Sequence, residues 1–122
     1  MSMTQISLLF LYSAGLLCGQ MLFKLAANRL RAAGEGTLLE KTVPVLFDPY
    51  FIAAAAMYMG LSVMWVWMLQ TVPISRAYPV VAINFALVAI IGALFFAERL
   101  TGANWAGVAL IVAGVALVTI GD

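Results

Sequence analysis

Charged residues are missing from four long stretches of the chain, and the lengths of these stretches indicate the fold class. The charge-free stretches cover residues 5–23, 49–75, 77–97 and 101–121. A helix needs about 20 residues to cross the roughly 30 Å hydrocarbon layer of a membrane. Polar and apolar residues do not alternate along these stretches, as they would in strands of a membrane barrel. We therefore predict an all-α membrane protein with a single domain over residues 1–122. Its four transmembrane helices are expected near residues 5–27, 49–71, 77–97 and 103–121.

The amino-acid composition also indicates a membrane protein, and it excludes several kinds of active site. The chain is 66% hydrophobic and 9% charged, which is too few charged residues for the surface of a soluble domain. It contains no His and a single Cys, so a His-based metal centre, a His-based catalytic triad and an internal disulfide are excluded. We expect no enzyme activity, no cofactor and no metal. We also expect the first helix to be retained, because basic residues follow its apolar run instead of preceding it.

The loop charges predict an orientation. Arg29, Arg31 and Lys41 lie between the first two predicted helices, and Arg99 lies between the last two. Arg76 is the lone basic side chain on the opposite side. Since positive loops stay in the cytoplasm, the first and third loops are predicted to be cytoplasmic and both termini external.

Gln20 and Lys24 are the conspicuous polar residues of the first helix, and they share one helical face because they are four residues apart. Lys24 could be an anchor that snorkels to the membrane surface. Gln20 could bond a neighbouring helix, because a buried amide needs partners. The functional interpretation is an anion site at the cytoplasmic mouth of a cavity. Lys24, Arg29 and Arg31 would supply charge there, and Gln20 would supply directed donors.

A second group of polar residues surrounds the start of the third helix. Pro79 removes a backbone donor and can bend the helix entrance. Tyr78 is either an interfacial aromatic or part of a polar path. Asn84, in mid-helix, is either a contact between helices or a ligand contact. Arg76 is the cation on the outer side.

Two further segments suggest packing and membrane contact. Gly107, Gly114 and Gly121 recur every seven residues in the fourth helix, which allows a close helix–helix seam. The first loop, residues 32–48, mixes bulky apolar residues with charges. It is expected to be a connector that dips into the headgroups or a short segment lying on the membrane.

Three blocks of sequence carry a family resemblance. They are GQMLFK at residues 19–24, LQTVPISRAYPVVAINF at residues 69–85 and FFAERLTGANWAGVALIVAGVAL at residues 95–117. With these blocks the chain resembles the drug/metabolite transporter superfamily in its four-helix, small-multidrug-resistance-like form. Within it, the chain is most similar to the EamA-like small subunits of aminoarabinose–undecaprenyl-phosphate flippases.

The resemblance implies a paired assembly, a homodimer or heterodimer with a similar four-helix chain. It implies a dimer seam at Gly107 and Gly114. The multidrug members carry an acidic residue in helix one, which would fall near Leu16, and this helix has no carboxylate. That departure disfavours a cationic cargo. Glu98, at the end of the third helix, is expected to be an interfacial or loop-pairing residue.

Together these features predict a multi-pass protein of the bacterial inner membrane that acts as a flippase or flippase subunit. Its partner would be a membrane lipid, a polyprenyl-phosphate-linked sugar or a similar anionic lipid, and not a nucleic acid. The expected substrate-binding residues are Gln20, Lys24, Arg29, Arg31, Arg76, Tyr78 and Asn84. Two alternatives remain open: a proton-coupled exporter of small multidrug compounds or polyamines, and a non-transporting helper of a membrane glycosyltransferase.

Overall fold

A computed structural model describes residues 2–31 and 36–121, and every regular element in these ranges is a helix. The helices are α1 (Met3–Arg31), α2 (Leu38–Phe47), α3 (Pro49–Leu69), α4 (Ile74–Val81), α5 (Ile83–Phe95) and α6 (Gly102–Ile120). Four spans are long and apolar enough to cross a membrane: Met3–Arg31, Pro49–Leu69, Ile74–Phe95 and Gly102–Ile120. The predicted all-α membrane fold with four transmembrane helices is confirmed.

Side-chain caps fix where two of the membrane spans begin. The buried carboxylate of Asp48 accepts hydrogen bonds from the backbone N–H groups of Tyr50 (2.9 Å) and Phe51 (3.4 Å), and Pro49 occupies the first turn of α3. Thr101 forms a reciprocal capping box with Asn104 at the start of α6. These bonds satisfy N–H groups that the first helical turn leaves without partners.

The first loop contains the short helix α2. Thr37 and Glu40 form its capping box, and none of its side chains is buried. Apolar residues such as Leu38 and Phe47 remain exposed beside Glu40 and Lys41, which suits a helix lying on a membrane surface. Residues 32–35 of the predicted surface segment lie outside the described residues.

The third span consists of two helices that meet at Ala82. Pro79 has no N–H, so it cannot donate the usual helical bond to the residue one turn earlier. Just beyond, the Phe85 N–H donates to the Ala82 carbonyl at 3.0 Å. That bond joins residues three apart, as in a tighter 3₁₀ turn. The span therefore changes geometry between Tyr78 and Asn84.

Two glycines allow α1 and α3 to pack closely. A Cβ added to Gly15 would lie 2.8 Å from Leu61 Cδ2, and one added to Gly19 would lie 2.7 Å from Tyr58 Cε2. Small residues four apart are a common way to bring membrane helices together. This contact holds α1 against α3 and brings Gln20 within hydrogen-bond distance of Tyr58.

A buried cluster closes one end of the bundle, where α1, α3 and the start of α4 meet. It consists of Leu9, Tyr12, Met68, Val72, Ala77 and Val80. The rings of Tyr12 and Trp65 stack with centroids 5.1 Å apart. The cluster anchors this end of α1, so the opposite half of α1, with Gln20 and Lys24, faces the less tightly filled part of the bundle.

Helix α6 packs against α4 and α5 but leaves most of its surface open. Val115 is its buried residue. Added Cβ atoms at Gly107 and Gly114 would meet no heavy atom within 4 Å. The predicted seam at these glycines thus faces away from the chain's own helices, and its use in pairing stays a prediction.

Candidate functional site

The Lys24 cavity is a space of about 310 Å³ between α1, α5 and the turn that follows α5. Gln20 and Lys24 line it from α1, and Val88 and Gly92 line it from α5. Its other polar wall residue is Glu98, and the remainder is apolar. A lysine that served only as a surface anchor would point away from such a space, whereas Lys24 forms part of its wall.

Glu98 is held in this cavity by an unusual turn. Ala97 has a φ of 53°, in the left-handed region that residues with a Cβ rarely adopt. The Glu98 N–H donates to the Gly92 carbonyl at 3.0 Å. A Cβ on Gly92 would lie 2.7 Å from Glu98 Oε2, so the glycine leaves room for the carboxylate.

Lys24 and Glu98 form an ion pair inside the cavity. The distance from Lys24 Nζ to Glu98 Oε1 is 3.3 Å. Their side chains are 42% and 48% exposed, so a ligand or water can reach both. The site therefore presents one positive and one negative group to the same space.

The Asn84 cavity, about 400 Å³, lies next to the first one. Tyr12, Trp65 and Tyr78 supply aromatic walls, with Trp65 edge-on to Tyr78 at 6.2 Å between centroids. The buried Oδ1 of Asn84 has no hydrogen-bond partner in the described part of the chain. Gln20 and Val88 line both cavities, so the two spaces share a wall.

Gln20 is fixed in that shared wall by Tyr58. Its Nε2 donates to Tyr58 Oη at 2.8 Å, and Tyr58 Oη donates to the Leu16 carbonyl at 3.1 Å. The Tyr58 ring also stacks on Phe23 at 5.3 Å. In the free chain, Gln20 therefore makes a hydrogen bond between helices, which is one of its two predicted roles. The same residue also borders both cavities.

The predicted site residues fall into two groups. Gln20, Lys24, Tyr78 and Asn84 line the two cavities, whereas the predicted arginines do not line either. Arg29 Nε lies 3.6 Å from Asp48 Oδ2, and its guanidinium lies 5.9 Å from the centre of the Tyr50 ring. Arg31 is exposed at the end of α1, and Arg76 is exposed in the first turn of α4.

Two residues of the site were not predicted from the sequence. Tyr58 was not among the predicted site residues, although a tyrosine within a charge-free span must find a partner for its hydroxyl. Glu98 was expected to be an interfacial or loop-pairing residue, and it does form an ion pair from the turn after α5, but its partner Lys24 and its position in the cavity were not predicted. Its place in the cavity depends on the left-handed turn at Ala97, which no residue type in the sequence marks.

Comparison with known proteins identifies the family. The sequence profile described as the EamA-like transporter family matches residues 46–120, which is more than half of the chain. The chain belongs to the EamA-like transporter family. Its predicted resemblance is thereby confirmed, and it is a multi-pass protein of the bacterial inner membrane.

Curated relatives carry a more specific name. The chain is 39% identical over 72 residues to the "Probable 4-amino-4-deoxy-L-arabinose-phosphoundecaprenol flippase subunit ArnE" of Aeromonas salmonicida, an alignment covering 59% of this chain and 63% of the relative. The protein of the same name from Yersinia pseudotuberculosis is 39% identical over 70 residues, covering 57% of this chain and 61% of the relative. The alignments thus span less than two thirds of the relatives' length. No solved structure matches the chain.

Proposed function

We propose that this chain is a subunit of a paired membrane transporter that moves a polyprenyl-phosphate-linked sugar from the cytoplasmic to the outer leaflet. The observation that carries the proposal is the position of Lys24, whose ammonium lines a largely apolar cavity between membrane spans. In the free chain this ammonium is paired with the Glu98 carboxylate, and its side chain is 42% exposed, so an anionic ligand can reach it. The phosphate of the lipid is an anion of suitable geometry for an ammonium donor.

The two cavities suit the headgroup, and the lipid tail would remain in the bilayer. Their volumes of about 310 and 400 Å³ fall within the roughly 300–1,000 Å³ typical of small-ligand sites. Asn84 offers an unpartnered acceptor to sugar hydroxyls, and Tyr78 borders the same space. The phosphate would bind at Lys24, with the sugar directed toward Asn84.

The arginines have a supporting role in this proposal. Since a helix rises about 1.5 Å per residue, Arg29 and Arg31 lie roughly 8 and 10 Å beyond Lys24 along α1. At that distance they attract a phosphate approaching from the cytoplasmic side, although salt screens this attraction. Arg76, on the predicted outer side, would receive the headgroup after it has crossed.

Transbilayer movement in vesicles tests the proposal. The protein is reconstituted as purified, and the rate at which the aminoarabinose-linked polyprenyl phosphate reaches the opposite leaflet is measured. Lys24→Ala should lower the rate by about 10- to 100-fold, because hydrogen bonds to charged groups contribute about 1.5–3 kcal/mol. Lys41→Ala is the matched control, since Lys41 is exposed on α2. An unchanged rate in Lys24→Ala would remove Lys24 from the mechanism, and the proposal with it.

One observation favours a second function, proton-coupled export of small cations. Glu98 gives the Lys24 cavity the carboxylate that helix one lacks. A polyamine exporter would bind spermidine and release protons on binding. Titration of the purified protein with spermidine, with proton release recorded in weakly buffered solution, distinguishes the two. Proton release together with failure to move the lipid would favour the exporter.

A further inference from the structure

The Lys24 cavity presents two opposite charges, and a purely anionic ligand uses only one of them. A phosphate bound at Lys24 Nζ would lie close to Glu98 Oε1, which is 3.3 Å from that nitrogen in the free chain. Like charges a few ångströms apart repel, and the largely apolar lining of the cavity screens them less than bulk water would. A purely cationic ligand at Glu98 would be repelled by Lys24 in the same way.

Separating the ion pair without replacing both partners also leaves one charge uncompensated. Water solvates part of each charge at this half-exposed pair, so the loss of one partner is only moderately unfavourable, yet it is still less favourable than exchanging both partners. A ligand that carries an anionic and a cationic group avoids both the repulsion and the uncompensated charge. Lys24 exchanges Glu98 for the anionic group, and Glu98 exchanges Lys24 for the cationic group. The charge pattern of the cavity is therefore complementary to a zwitterion.

The surrounding backbone is arranged to present the Glu98 carboxylate. Gly92 leaves the space that Glu98 Oε2 occupies, and the Glu98 N–H is bonded to the Gly92 carbonyl. Ala97 adopts a left-handed conformation, although a glycine would do so at lower cost. Backbone strain of this kind persists where the surroundings hold it, and it concentrates at functional sites.

We propose that Lys24 and Glu98 together form a clamp for a zwitterionic headgroup, in which Lys24 binds the phosphate and Glu98 binds a protonated primary amine. This inference rests on the proposed function and adds Glu98 as the residue that selects for the amine. Two membrane lipids have the required chemistry: an amino-sugar linked to a polyprenyl phosphate, and phosphatidylethanolamine. In a pyranose, a phosphate at C1 and an amine at C4 lie at opposite ends of the ring, so each can face one member of the pair.

Lipid binding to the purified protein tests the clamp, measured by native mass spectrometry in mild detergent. The probes are 4-amino-4-deoxy-L-arabinose-phosphoundecaprenol and the matched lipid with a hydroxyl in place of the amine. We expect the amine lipid to bind about tenfold more tightly, which corresponds to one 1.4 kcal/mol step. Equal binding by the unmodified protein overturns the clamp, whatever any variant does.

Variants then assign the preference to Glu98. Glu98→Gln should reduce the tenfold difference to less than about twofold, chiefly by weakening binding of the amine lipid. Glu40→Gln is the matched control, because Glu40 is exposed on α2 and glutamine preserves its capping bond. It should keep the full preference. A preference that persists in Glu98→Gln places the amine elsewhere and overturns the assignment.

Two further comparisons are needed. One distinguishes a polyprenyl lipid from a phospholipid as the ligand, and the other distinguishes failure of the clamp from failure of the flippase proposal. Where the amine polyprenyl lipid is preferred, an equal preference for phosphatidylethanolamine over phosphatidylglycerol, also lost in Glu98→Gln, would show that the clamp accepts a phospholipid as well. If vesicles move both polyprenyl lipids at equal rates and both bind equally, the clamp fails and the flippase proposal stands. If the amine preference is present but neither lipid crosses the bilayer, the flippase proposal fails and the clamp stands.

Discussion

At the scale of single residues, Gln20, Lys24 and Arg29 each have a specific partner, and these partners could not be predicted from the sequence. The spacing of Gln20 and Lys24 placed them on one face because helical periodicity is a local property. The partner of Gln20, Tyr58, is 38 residues away, and no local pattern relates them. Arg29 was grouped with Lys24 by charge, yet the cap residue Asp48 is its neighbour.

The Tyr58 hydroxyl gives a prediction at this scale. Tyr58→Phe keeps the ring stacked on Phe23 but removes the partner of Gln20 Nε2 and of the Leu16 carbonyl. Gln20 is exposed and the Leu16 carbonyl lies within the hydrogen-bonded helix α1, so the loss corresponds to the net value of a hydrogen bond, about 0.5–1.5 kcal/mol. We expect a lower midpoint of thermal unfolding in detergent. Tyr50→Phe, at an exposed ring, should change it little. Equal midpoints for both variants would show that the bond does not stabilise the bundle.

At the scale of helices, the spans were predictable because long charge-free segments have few alternatives in a membrane. The division of the third span was anticipated only in part, since Pro79 signals a bend but not the change at Ala82. The α1–α3 contact through Gly15 and Gly19 was not predicted. Spaced small residues indicate that a helix packs closely, but they do not identify its neighbour.

Gly19 tests that contact. In Gly19→Ala the new Cβ would approach Tyr58 Cε2 to 2.7 Å, and Tyr58 is already held by two hydrogen bonds. Overpacking of this kind typically costs about 1–3 kcal/mol. We expect a lower unfolding midpoint, together with weaker lipid binding because Gln20 moves. Gly60→Ala is the control, since nothing lies within 4 Å of its added Cβ. A stable Gly19→Ala protein would contradict the close approach.

At the scale of the whole molecule, the chain buries little of its surface, and the open face of α6 is the largest unexplained part of the fold. Leu110 and Leu117 are exposed on this helix, and Gly107 and Gly114 have free space beside them. The regular seven-residue spacing predicted a seam. The neighbour that would complete this seam, a helix of another copy or of another protein, stays a prediction.

Gly114 tests the pairing. Gly114→Leu should leave the fold of one chain intact, because no heavy atom lies within 4 Å of an added Cβ. It should shift the native mass in mild detergent from a paired species to a single chain, since a bulky residue prevents close helix approach. Gly60→Leu, in a similarly open position on α3, should leave the pair intact. An unchanged mass for Gly114→Leu would place the seam on another surface.

The central claim is that the ammonium of Lys24 binds the lipid phosphate within the bundle, and a distance measurement tests it most directly. Lys24 and Lys41 are the only lysines in the sequence, so ¹⁵Nζ labelling of lysine gives two signals, and Lys41→Arg assigns them.

In phosphorus-free glycolipid bilayers, the ³¹P of the added aminoarabinose lipid is the sole phosphorus nucleus. We expect solid-state dipolar recoupling to place it about 4 Å from Lys24 Nζ, the separation for an ammonium donating to a phosphate oxygen. Lys41 should show no such coupling. Coupling to Lys41 alone, or equal coupling to both, would contradict the account.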